Sequence, residues 1–209
     1  FGASDAPMTN AEMKADPGVL HVPTVIGAVV VAYRVPDVKN GLRLSQSALA
    51  GIFLGTIQRW NDPAIRAINP GLALPDMAIT VVHRSDGSGT TAIFTDYLAR
   101  VSPKWKSAVG HGKSVQWPVG LGGKGNEGVT GVLQSMNGSI AYLEYAYARQ
   151  NHLPMAALQN RAGHYIEPTM KAASLAANGR ELPADFRISI TDPPGANAYP
   201  IAAFTYILL

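Results

Sequence analysis

Residues 20 to 35, LHVPTVIGAVVVAYRV, run apolar and β-branched with little polar interruption. A strand packed on one side only alternates apolar and polar side chains; a continuous apolar run predicts a strand covered on both faces. Its densest part, TVIGAVVVAY at 24 to 33, is too short for a membrane span, which needs ~20 apolar residues. Gly27 predicts a break or bend, and Pro36 predicts the end. A strand buried on both sides requires helices above and below it, and the rest of the chain supplies them.

Residues 8 to 16 read as a helix: Thr9 is the N-cap and Glu12 stands three residues on, the spacing of a capping box. A second helix follows Leu44 behind a serine cap, with apolar residues at 49, 52 and 53. A third begins at WNDPAIRAI, with Asp62 at the N-cap and Pro63 at the first helical position. MAITVVHR (77 to 84) predicts a strand. From Ser88 the apolar period becomes helical through Ile93, Phe94, Tyr97, Leu98 and Val101. A glycine-rich loop at 120 to 128 leads to a helix ending near 136. The strand SIAYLEY, a helix over about 168 to 178 and a last strand over 199 to 209 complete the chain. Strands alternating with helices predict an α/β layer sandwich.

Composition sets limits. The chain has 209 residues, 17 Lys+Arg against 14 Asp+Glu, and a net charge of +3. The small excess is spread out, with no basic run to track a nucleic-acid backbone. There is no cysteine, which removes disulfides, zinc thiolates and cysteine nucleophiles. The five histidines (21, 83, 111, 152 and 164) lie far apart with no i,i+4 pair, so neither a metal site nor a cofactor is expected. His83 is expected in a satisfied role despite its place beside Arg84. Trp60, Trp105 and Trp117 are expected to pack. The opening FGASDAPMTN and the closing PIAAFTYILL predict that both ends continue into a longer polypeptide, with no signal peptide in these residues.

The chemistry concentrates at RSDGSGTTAIF, 84 to 94, where a strand passes into a helix. Ligands of open α/β sheets bind at the carboxyl ends of strands. The first N–H groups of the helix have no intrahelical acceptor, and the helix dipole adds partial positive charge there. Gly87 and Gly89 let the backbone approach a ligand, and Ser88, Thr90 and Thr91 offer hydroxyls. The Arg84 guanidinium matches two oxygens of a tetrahedral oxyanion. Asp86 repels an anion and is expected to orient Arg84. These residues read equally well as a plain helix start capped by Ser88. A serine-hydrolase elbow does not fit, since GSG is not G-x-S-x-G and no His/Asp pair stands ready. The match of Gly120, Gly122 and Gly125 to G-x-G-x-x-G is not read as a dinucleotide site, because Pro118 interrupts the strand it needs. That loop, with Lys124, is expected at a cleft rim.

RSDGSGTTAIFTDYL, FGASDAPMT, RWNDPAIRAINPGLALP, WPVGLGGKGNEGV and GSIAYLEYAYARQN, in this order along nearly the whole chain, resemble the periplasmic phosphate-binding protein of the bacterial ABC phosphate transporter. The resemblance implies a type II periplasmic-binding-protein-like α/β/α lobe with a mixed sheet. Residues 1–22 would be the end of a first lobe and a crossover, 23–198 a second lobe, and 199–209 a return crossover, with the family's early Thr-Phe site, serine loop and closing helices outside these residues. It implies phosphate binding by Arg84, Ser88, Gly89, Thr90 and Asp5, with Asp86 pairing Arg84. It further implies a periplasmic monomer that delivers phosphate to an ABC permease in the inner membrane, without nucleic acid and without catalysis. Asp5 alone would read as a turn residue before Pro7. In an anion site it selects: phosphate keeps a proton to donate to a carboxylate, whereas sulfate leaves that carboxylate unpaired, at a cost of about 1–3 kcal/mol or more. The alternative class is an enzyme acting on a phosphate ester, with Asp5 as nucleophile or base.

Overall fold

The computed structural model describes residues 1–209. The chain runs β1 (Gly2–Ser4), α1 (Asn10–Ala15), β2 (His21–Arg34), β3 (Arg43–Leu44), α2 (Gln46–Phe53), α3 (Pro63–Arg66), β4 (Thr80–Arg84) and α4 (Gly89–Val101). It continues through α5 (Pro103–Ala108), β5 (Leu121–Gly123), α6 (Gly125–Ser135), β6 (Ser139–Glu144), α7 (Tyr145–Gln150), β7 (Ala157–Gln159) and β8 (Tyr165–Ile166). It ends with α8 (Met170–Ser174), a 3-10 turn at Leu175–Ala177 and β9 (Ala202–Leu208).

Six strands form one mixed sheet in the order β1-β9-β2-β6-β4-β5, and β3-β7-β8 form a small second sheet. β2 organises the larger sheet. Its first half, from His21 to Ala28, pairs antiparallel with β9; its second half, from Val29 to Arg34, pairs antiparallel with β6. β6, β4 and β5 then run parallel to one another. Consecutive residues Ala28 to Tyr33 on β2 and Ser139 to Leu143 on β6 are all buried. Burial of both parities means both faces are covered, as the apolar run requires.

The expected break at Gly27 does not occur. Gly27 stays in the ladder opposite Ala203, and the irregularity falls between Pro23 and Val25. Proline has no N–H to give the ladder, so the register shift gathers there. The caps follow the sequence. Thr9 and Glu12 close a reciprocal capping box, Ser45 caps α2, and Asp62 with Pro63 opens α3. Unforeseen elements are β5, α5, α7 and the β3-β7-β8 sheet. Trp60 and Trp105 are fully buried, their ring N–H groups bonded to the carbonyls of Gly138 and Gly110. No helix is long and apolar enough to cross a membrane.

Candidate anion site at the carboxyl edge of the sheet

β4 ends at Arg84, and Ser88 starts α4. Ser88 Oγ accepts the Thr91 N–H at 3.2 Å, while its own N–H donates to the Lys113 carbonyl at 2.8 Å. The amides of Gly89 and Thr90, in the first turn, have no intrahelical acceptor and carry the positive end of the dipole. The Ser88 hydroxyl proton remains free to donate outward.

Arg84 reaches this edge with its side chain 11% exposed. Its Nε donates to Asp86 Oδ1 at 2.8 Å and its Nη2 to Oδ2 at 2.5 Å. One edge of the guanidinium is thus fixed, and Nη1 has no protein acceptor. The Arg84 bonds, helped by the Gly125 N–H at 3.1 Å, hold the Asp86 carboxyl well below the usual carboxylate range. The same pair raises Arg84 above its ordinary value. Asp86 therefore orients Arg84 as expected, and it also ties the turn to the first residue of α6.

Asp5 stands against this helix start. A Cβ on Gly89 would lie 3.0 Å from Asp5 Cβ and 3.3 Å from its backbone N. Gly89 thus admits Asp5. Gly87 faces nothing within 4 Å, so contact with the chain itself calls for glycine at 89 and not at 87. Thr91 also departs from expectation: its hydroxyl bonds Tyr142 OH at 2.6 Å inside the core, and Tyr142 OH accepts the Arg84 N–H.

Residues far away in sequence hold Asp5. Thr205 on β9 donates its hydroxyl to Asp5 Oδ1 at 2.8 Å. Just beyond, the Met8 N–H donates to His21 Nε2 at 3.0 Å, and Arg187 Nη1 donates to the Met8 carbonyl at 2.8 Å. His21 is 3% exposed and edge-on to Tyr206. Burial, and the Arg187 charge after it, lower its pKa. Thr205, His21 and Arg187 gave no local signal in the sequence. Glu144 also went unread, although it ends a buried strand beside β4, and the strand-end rule that singled out Arg84 applies to it equally.

His83 is satisfied inside. Its ring stacks on Trp117 at 4.8 Å, and Nδ1 lies 3.0 Å from the Arg84 carbonyl. The glycine-rich segment forms edge strand β5 against β4 and then opens α6. A Cβ on Gly123 would sit 2.6 Å from the Val129 N, so no side chain fits there. No group of three His, Cys, Asp or Glu side chains is placed to hold a metal ion.

The site is therefore a fixed guanidinium and free helix-start amides, with Asp5 packed against the same helix start. The PBP superfamily domain model matches residues 1–209. A protein of Pasteurella multocida called phosphate-binding protein PstS is 49% identical over all of this chain and 61% of its own length. Its namesake in Methanocaldococcus jannaschii is 46% identical over 91% of this chain and 53% of its own length. The chain thus spans about three-fifths of such relatives. Among solved structures, a high-affinity periplasmic phosphate-binding protein bound with phosphate superposes with a TM-score of 0.69 at 20% identity, over 99% of this chain and 64% of the other. A phosphate ABC transporter substrate-binding protein from Clostridium perfringens, described as putative and solved with phosphate, gives 0.65 at 16%, over 99% and 64%. With the family model matched from end to end and this mixed α/β sheet beneath it, the chain belongs to the PBP superfamily.

Proposed function

We propose that this chain binds inorganic phosphate at the Arg84–Ser88 turn and serves a phosphate uptake system, handing the ion to an ABC permease outside the cytoplasm. Arg84 would give two N–H bonds to ligand oxygens. Ser88 would give its hydroxyl, Gly89 and Thr90 their amides, and Asp5 would accept the proton that phosphate retains. Asp86 would keep the guanidinium in its plane. The observation that carries this reading is the juxtaposition of Arg84, locked along one edge by Asp86, with Asp5 packed on Gly89 at the same helix start. The names of the relatives and the phosphate described in two structural neighbours support the same ligand.

In this reading residues 1–22 and 199–209 belong to a first lobe and the crossovers, and 23–198 to a second lobe. The exposure of Leu20, Val22 and Val25 on β2 and the segment before it supports a further lobe packing there. The protein would act as a monomer in the periplasm. An enzyme acting on a phosphate ester, with Asp5 as nucleophile or base, has less support: Thr205 occupies Asp5 Oδ1, and the relatives are named as binding proteins.

Titration calorimetry with inorganic phosphate, with sulfate as competitor, tests the proposal. Phosphate is expected to bind one to one and resist sulfate. A chain that binds neither ion, or that turns over an aryl phosphate, would refute it.

A further inference from the structure

Glu144 is the last residue of β6, and β6 lies next to β4 in the sheet. Its side chain therefore emerges at the same carboxyl edge as Arg84. It occupies the N-cap of α7, where an acid would normally accept an amide bond, yet it makes no cap hydrogen bond. It has no salt-bridge partner either. Instead it lines a cavity of about 220 Å³ together with Asp5 and Thr205, and its carboxyl lies within hydrogen-bonding reach of the Asp5 carboxyl. Two carboxyl groups that close cannot both be ionised without a large cost, so one holds a proton.

We propose that Glu144 is a positioning residue of the anion site, donating one shared proton to Asp5 so that Asp5 stays an acceptor for the ligand. The inference rests on the phosphate reading above. Asp5 then accepts from Thr205 and from Glu144 and keeps a lone pair for the ligand O–H; a carboxylate has about four such positions. The direction of charge agrees. Burial, then the hydrogen bond to Asp5 and the Asp5 charge, push the Glu144 carboxyl up to about 7, against the opposing pull of Arg84. The groups facing Glu144 are Asp5 from the loop after β1, Arg84 from β4 and Tyr147 from its own helix. Tyr145, the first residue of α7, also lines the cavity, and β2, α4, α8 and β9 bring Val29, Ile93, Met170 and Thr205 to it, none of these four titratable.

The consequence is a pH-dependent receptor. Below neutrality the pair carries one negative charge and a fixed donor. Above it, Glu144 ionises, Asp5 loses its donor, and a second negative charge faces an incoming anion.

The test is phosphate calorimetry on the native chain and on Glu144→Gln from about pH 6 to about pH 8.5. The amide keeps a donor and cannot titrate. Phosphate's own ionisation affects both proteins alike, so the ratio of native to variant Kd isolates Glu144. That ratio is expected to rise about tenfold or more across the range. A flat ratio overturns the proposal. The second readout needs no ligand: the infrared band of a protonated carboxyl, present near pH 6 in the native chain, absent in Glu144→Gln and fading as pH rises through neutrality. If that band is missing, no proton is shared and the proposal fails. If the native chain binds no phosphate at any pH, the phosphate reading fails instead, while the infrared titration still decides whether Glu144 and Asp5 share a proton.

Discussion

The two halves of the candidate site are built in opposite ways. The cationic half is local: Arg84, Asp86 and Ser88 sit within five residues and meet because a strand ends and a helix begins. The acidic half is assembled across the chain. Asp5 meets Thr205, 200 residues away in sequence, and Met8 is held by His21 and Arg187. The local half would grip any tetrahedral anion. The long-range half would decide which one, because only there would a carboxylate demand a proton from the ligand. Affinity and selectivity would then be separable, and each substitution should disturb one more than the other.

The largest effect is expected from Arg84→Ala. Two charge-assisted bonds of about 1.5–3 kcal/mol each would go, and Asp86 would remain as an unpaired charge beside the ligand. Phosphate and sulfate should both weaken by at least about a hundredfold in calorimetry. Retained sulfate affinity would break the division between halves.

Gly89→Val acts on the seam. Its Cβ would press on Asp5 at 3.0 Å, and the added methyls would force the loop outward. The preference for phosphate over sulfate should shrink about tenfold, with sulfate affinity little changed, since the loss is one acceptor worth about 1–3 kcal/mol. A competition titration reads the ratio. Thr205→Val is gentler. It removes the hydroxyl that fixes Asp5 Oδ1, and a single bond of about 1 kcal/mol corresponds to roughly fivefold in phosphate affinity.

This division also explains what the sequence discloses. The turn at 84 to 90, the Thr9–Glu12 capping box and the Asp62–Pro63 start are readable because each is a short-range hydrogen-bond rule. β5 escapes because its Leu-Gly-Gly lacks the β-branched residues that mark strands; it forms because the edge of β4 is open and glycine packs against Val129. Gly27 predicts a break because glycine weakens strands, yet it stays paired with Ala203 of β9, just before the half of β2 that pairs with β6. Thr205, His21 and Arg187 have ordinary neighbours, and only tertiary folding gives them a role. Glu144 stands between these cases. Its place at a strand end is legible, but its partner is not.

The smallest effect concerns the anchor of the Asp5 loop. Neutral His21 accepts the Met8 N–H, and its folded pKa is lowered by burial, so the unfolded chain binds the extra proton. Its contribution is complete above the unfolded value of about 6.5 and is lost as pH falls through that value toward the lower folded one. Urea denaturation between about pH 7 and pH 5 should show a destabilisation in the native chain that is reduced in His21→Gln. An equal loss in both would place the acid sensitivity elsewhere.

The most direct measurement is the ratio of sulfate to phosphate dissociation constants for the native chain and for Asp5→Asn, near neutral pH. The account predicts a native preference for phosphate of about a hundredfold or more, falling steeply in Asp5→Asn because the amide can donate to sulfate as readily as it accepts from phosphate. Equal affinity for the two ions in the native chain, or a preference untouched by the substitution, would contradict it.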